Sequence, residues 1–390
     1  MVYTIASGNC ESTVQRTARL DSDEQNEAYV PYLKLSHDEM VRLRLHNTLI
    51  NAVIVTYMVG GYVAALYLIM CMNSLLILIA ATILLMHTMI VALTLTHECS
   101  HSCIAQSTWL NHVVGEITLV ISGALYVPFT ELQRQHNEHH AVQVGIDSYQ
   151  VSHILSTWPH WLQILILPLE ACYIPVLSFI SWWRTLIVPL YVHKYQHLRK
   201  RIVIVFVLRH TFFYTMWCIR PISLVCYFAA HVLFIDVMRV YDAYHHTFQI
   251  VSRGTLPPKH DPDYEQQTTY STVFGRNTLT RRIMDMIFLN YGYHNAHHRY
   301  PRVPWHRLQE LDAIMYPKSN GHIIRLPGAL KEYHRRRIDR ITQKRGDSFG
   351  KPKLNPAKDA DSLLINNYIG VVMNISSLVL DVGDYSMERH

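Results

Sequence analysis

The chain has 390 residues, half of them apolar and only 16% charged, against roughly 25% charged in ordinary soluble proteins. The net charge of +6 is modest, and Arg42, Arg44, Lys194, Arg199, Lys200 and Arg201 flank apolar runs. Such placement fits membrane-surface anchors and excludes a nucleic-acid footprint.

In chain order, residues 1–44 read as a polar leader without the apolar core of a signal peptide. Residues 48–70 and 75–95 are apolar runs of about 20 residues, each long enough to span a bilayer as a helix. Only Cys71–Ser74 separate them, so they predict a tight transmembrane hairpin. Arg42 and Arg44 place its start on the cytoplasmic side, and its second arm returns there at about Thr96. Residues 202–219 and 222–240 predict a second hairpin, broken at Arg220-Pro221. Between the hairpins, Trp158 to Tyr191 is apolar, aromatic and interrupted by prolines. It reads as interfacial helices or as a broken hairpin dipping into the bilayer; Trp158, Trp161, Trp182 and Trp183 favour the former. Residues 45–315 form the expected catalytic domain, and 316–390 a cytoplasmic tail whose apolar patch at 362–382 packs on something. The Asn374-Ile375-Ser376 glycosylation string falls in that tail.

Seven cysteines, Cys10, Cys71, Cys99, Cys103, Cys172, Cys218 and Cys226, include no C-x-x-C pair. Packing accounts for them better than disulfides or a thiolate site.

The chemistry lies in histidines. His97 and His101 are spaced i, i+4; HNEHH supplies His136, His139 and His140; HNAHH supplies His294, His297 and His298. Offsets of three and four put side chains on one helical face, so each box aims two or three imidazoles at one place. Both hairpins return to the same side, so all eight meet at one cytoplasmic surface. His97-Glu98-x-x-His101 also matches the H-E-x-x-H string of zinc peptidases, with Glu98 as general base. That reading needs three protein ligands and leaves the remaining boxes idle. Eight imidazoles suffice for two metals, and imidazole without thiolate suits iron, copper, nickel or zinc.

HECSH, HNEHH and HNAHHRYPRVPWHRL after paired hairpins resemble the membrane fatty acid desaturase superfamily over residues 45–315. The resemblance implies an all-α, four-span membrane fold with a cytoplasmic helical cap. It implies two non-heme Fe ions held by His97, His101, His136, His139, His140, His294, His297 and His298, with O2 as co-substrate. It further implies a long-chain acyl lipid or acyl thioester as substrate and a separate electron donor, cytochrome b5-like or ferredoxin-like. Desaturation is the expected reaction. Hydroxylation of a lipid, sphingoid or carotenoid chain is the alternative, and three intact boxes argue against a scaffold with a dead site. The membrane is the endoplasmic reticulum in a eukaryote or the inner membrane in a bacterium.

The acyl-CoA branch carries an N-x-x-x-H ligand pair where this chain has Asp242 and His246. His246 is the expected ninth ligand, on one helical face with Asp242, and His245 is its rival. No catalytic residue is expected beyond the ligands. Asp147, Asn290 and Asn295 are candidates to support them, and Glu98 either orients a ligand or is solvated. Arg134 and Arg299 read as solvated surface. His87, His210 and His231, each alone in an apolar run, are expected to be satisfied by neighbouring backbone or helices, and Arg209 to pair with Asp236.

Overall fold

The computed structural model describes residues 32–142, 155, 158–246, 262–275, 278–317 and 322–342. Most of the expected leader, Cys10, Asp147, and the tail beyond 342 with its apolar patch and Asn374 string lie outside the described residues.

A capping box opens α1 (His37–Leu43): Ser36 Oγ accepts from Glu39 N, and the Glu39 carboxylate accepts from Ser36 N. Asn47 caps α2 (Thr48–Cys71) by accepting from Ile50 N. Three residues later α3 (Leu75–Ser100) returns. At 26 residues it is about 39 Å long, more than the roughly 30 Å hydrocarbon core requires. The surplus is visible in its burial. Leu75, Leu76, Ile79 and Ile83 are exposed on the lipid-facing half, whereas every residue from Thr88 to Ser100 is enclosed by protein. Box 1 therefore rides on the last turn of a membrane helix that runs on five residues beyond the apolar stretch seen in the sequence.

The second hairpin is α8 (Arg199–Ile219) and α9 (Pro221–Asp242), with Pro221 at the first helical position, where its missing N–H costs nothing. Arg220 donates to the Met72 carbonyl and so ties the turns of the two hairpins together at the end remote from the histidines. Among the described residues four helices are long and apolar enough to cross a membrane, or five if a bent pair between the hairpins counts as one span; the protein is integral and multi-pass. Hydrocarbon surrounds their outer faces, so within the bilayer packing and polar contacts, not the hydrophobic effect, hold helix to helix.

Between the hairpins lie α4 (Thr108–Ser122), α5 (Phe129–Val142), α6 (His160–Ala171) and α7 (Val176–Tyr191). The last two are bent by 115° at a short break. A buried ion pair fastens this bend to the fourth span. Glu170 Oε2 accepts from Arg239 Nη1 at 2.9 Å, and Arg239 Nη2 donates to Ser178 Oγ at 2.6 Å. Glu170 Oε1 takes the Leu177 N–H at 2.7 Å, at the start of α7. Both charges are thereby matched, as burial demands.

The cap comprises α10 (Pro262–Thr268), β1 (Ser271–Val273), α11 (Leu279–Ile287), α12 (His294–Arg299), α13 (Leu308–Met315), β2 (Ile323–Arg325) and α14 (Leu326–Thr342). The fold is all-helical as expected, save for β1 and β2, a parallel pair with Ser271 opposite Ile323. A small core of Val273, Tyr293, Ala296, Val303, Leu308 and Leu311 seats α12. Water does bound this part, so burial there stabilises by about 1.5–3 kcal/mol for a large side chain. Gly292 permits the closeness: a Cβ on it would fall 2.0 Å from the Thr272 carbonyl oxygen, so alanine would force β1 away from box 3.

Candidate metal centre

Each box reaches the centre by a different local device. His97 stands on α3, and His101 caps it, after which Ser102 turns the chain at φ 59°. His136, His139 and His140 share one face of α5. His294, His297 and His298 share a face of the six-residue α12. His246 arrives in another way. α9 stops at Asp242, and the chain turns before His246 bridges to Thr269.

The ε nitrogens converge. His101 and His136 approach at 2.8 Å, His136 and His140 at 3.2 Å, and His140 and His297 at 3.3 Å. His246 and His294 approach at 2.8 Å, and His139 and His298 at 3.3 Å. Among the described residues the nine imidazoles fall into two groups, each with ligand-capable atoms within 4.8 Å of one another: His97, His101, His136, His140 and His297, then His139, His246, His294 and His298; a third, overlapping group joins His140 and His298 to the Glu265 carboxylate. All are buried except His140, which is half-buried. Burial, reinforced by neighbouring imidazoles, holds His101, His136, His140, His246, His294 and His297 well below the ordinary imidazole range. They are neutral, the form in which imidazole binds metal. A donor set of nine imidazoles split into a five and a four fits two divalent transition metals.

Two of the outer nitrogens are held. His298 Nδ1 lies 2.8 Å from Glu265 Oε1, and His246 Nδ1 lies 3.3 Å from Thr269 Oγ1. Such contacts set the tautomer and leave the ε nitrogen for metal. Glu265 escaped the sequence reading because it follows a proline-rich stretch with no periodic pattern. Asn295 fits its supporting part. Its amide donates to the Thr269 carbonyl at 2.6 Å and the Gln266 carbonyl at 3.1 Å, joining box 3 to the His246 segment. Asn290 instead clamps the Trp305 carbonyl.

Some expectations need correction. Asp242 and His246 do not share a helical face, because the helix ends between them. The Asp242 carboxylate is instead 3.1 Å from His245 Nδ1 and accepts from the Tyr291 hydroxyl at 3.3 Å. His245 stands outside both groups and stacks on His294 at 4.2 Å between centroids. Glu98 is buried, not solvated: its Oε2 takes the Trp305 N–H at 2.9 Å, and its Oε1 is 3.5 Å from His97 Nδ1. That carboxylate is engaged by the backbone and is not free to act as a peptidase base. Arg209 donates to the Gly123 carbonyl at 2.9 Å and does not pair with Asp236. His87 and His210 are satisfied, by Tyr57 with the Ile287 carbonyl and by the Phe206 carbonyl. His231 is not satisfied: both its ring nitrogens are buried without a partner. Cys99 and Cys103 are buried free thiols, as packing predicts. Arg134 pairs with Glu131, and Arg299 lies over the Tyr32 ring.

No curated protein and no solved structure matches the chain significantly. The family model for fatty acid desaturases matches residues 72–326, from the first hairpin turn through all three boxes to the start of α14. With that match over more than half its length, the chain belongs to the fatty acid desaturase family.

Proposed function

We propose that the protein introduces a double bond into a long acyl chain in an O2-dependent reaction at a di-iron centre. The family implies an acyl substrate. The observation that carries the reading is the division of nine imidazoles into a group of five and a group of four. His97, His101, His136, His140 and His297 would hold one iron, and His139, His246, His294 and His298 the other. When bound, the irons supply O2 activation and the two-electron oxidation of an unactivated C–H position.

The polypeptide supplies the rest. Glu265 and Thr269 orient two ligand rings, and His245, backed by Asp242, braces His294 by stacking. Burial excludes water from the centre, which protects a reactive site from side reactions. An apolar channel selects the position of oxidation, because neighbouring methylenes are told apart only by where they lie along it. Electrons come from a separate donor, cytochrome b5-like or ferredoxin-like. The histidine side faces the cytoplasm, a placement supported by Arg42, Arg44 and Arg199–Arg201 at that end of the spans.

Lipid analysis of a host expressing the chain is the test. A new double bond that depends on the box histidines is expected. A new hydroxyl at the same carbon would reassign the reaction to hydroxylation on the same centre, and one zinc per chain with no iron would overturn the di-iron reading.

A further inference from the structure

A second polar site lies deeper, between the spans. His231 is 1% exposed, and neither ring nitrogen has a hydrogen-bond partner. Its ring is enclosed by Trp182 at 4.5 Å, Phe234 at 5.6 Å and Tyr227 at 6.3 Å between centroids. The Arg209 guanidinium comes alongside. One of its nitrogens donates to the Gly123 carbonyl, and the group lies 5.6 Å from the Tyr126 ring and 5.4 Å from the Phe213 ring. Among the described residues no carboxylate pairs with it. His231 and Arg209 meet at Gly123, where a Cβ would stand 3.0 Å from His231 Cε1 and 3.4 Å from Arg209 Nη2. The glycine, at φ +85° as the left-handed cap of α4, has no Cβ to hold the two side chains apart and lets both close on the same stretch of backbone.

An unpaired imidazole beside a cation is an expensive arrangement in an interior bounded by lipid. It persists where a ligand completes it. The donor inventory defines that ligand. Arginine only donates, and neutral imidazole donates from one nitrogen and accepts at the other. An oxygen function meets both: a hydroxyl accepts from Arg209 and donates to His231, and a carbonyl oxygen accepts from the two.

Position indicates what carries the oxygen. His231 precedes Asp242 by eleven residues on α9, about 16 Å along the axis. That is roughly half the ~30 Å hydrocarbon thickness, the depth of one leaflet. Phe234, Ile235 and Met238, all fully buried, line the interval. We propose that His231 and Arg209 bind a hydroxyl or carbonyl oxygen on the distal part of the substrate chain, about one leaflet's depth from the carbon being oxidised. The favoured substrate is then an oxygenated acyl chain. This rests on the acyl reading above.

The test is binding to the purified full-length protein with its metal in place, kept anaerobic so that no turnover occurs. The probes are a saturated long-chain fatty acid and the same acid carrying a hydroxyl or an oxo group at successive positions of its distal half. One hydroxy or oxo position should bind at least about tenfold more tightly than the parent acid. His231→Phe should abolish that preference while leaving parent binding unchanged. Its thermal midpoint should equal or exceed that of wild type, since an unpaired imidazole is removed; a lower midpoint would indicate a structural role and overturn the site. Equal binding of all the acids by wild type overturns the oxygen site and leaves the acyl reading standing. Binding of none overturns the oxygen site, and the acyl reading is then decided by the lipid analysis above.

Discussion

Glu265 places a carboxylate oxygen 2.8 Å from Nδ1 of His298, on the far side of the ring from the nitrogen that meets His139. The two residues belong to different elements, α10 and α12, joined through the Asn295 amide. The carboxylate fixes both the tautomer and the angle of the ring, the role that outer carboxylates play for metal-bound histidine.

Loss of that contact should therefore weaken metal binding without unfolding the cap. Glu265→Ala is expected to lower iron affinity by about 10–100-fold. Glu265→Gln, which keeps an acceptor oxygen, should lose less. Iron content after dialysis against a graded chelator measures this. Equal retention in both variants and wild type would remove Glu265 from the centre.

His246→Ala should be iron-poor and inactive, because it removes one of the four imidazoles of its group. His245→Ala should keep its iron and lose only part of its activity, since His245 touches the centre through its stack on His294. Iron analysis and product formation at matched expression separate the two. An iron-depleted His245→Ala would exchange their roles.

The metal-free protein should be most stable above the ordinary imidazole pKa of 6.5 and lose stability as the pH falls below it. The sign follows from the depressed folded values of His101, His136, His140, His246, His294 and His297. Below 6.5 the unfolded chain binds protons that the folded chain refuses. Each such group contributes up to about 1.4 kcal/mol per pH unit in that window. Thermal midpoints at pH 8 and pH 5.5 (roughly 1.5 and 1 units either side of the imidazole value) provide the measurement. A flat profile would mean that the imidazoles titrate normally.

Removing one partner of the Glu170–Arg239 pair leaves a buried charge. Arg239→Met should cost about 3–5 kcal/mol, and adding Glu170→Met should recover much of it. Thermal unfolding in detergent reads both. A double variant no better than the single would show that the pair contributes more than charge balance at the α6–α7 bend.

The four spans and the eight box histidines were legible before folding. Apolar runs of membrane length, a Pro at the second turn and i, i+3 and i, i+4 histidines are local patterns, and local geometry turns them directly into spans and faces. Tertiary structure decided the rest. Whether α9 would carry on to His246 depended on where the chain had to turn to bridge Thr269. That turn gave Asp242 to His245 and left His246 to face His294. Glu265 had no spacing to announce it, because its place beside His298 comes from the packing of α10 on α12. The unpaired His231 is of the same kind. A histidine in an apolar run reads as satisfied, since most are, and only the positions of Trp182, Arg209 and Gly123 around it reveal that its nitrogens face no partner. Period and composition are properties of one segment, whereas a hydrogen-bond partner is a property of two, and folding alone brings the second to the first.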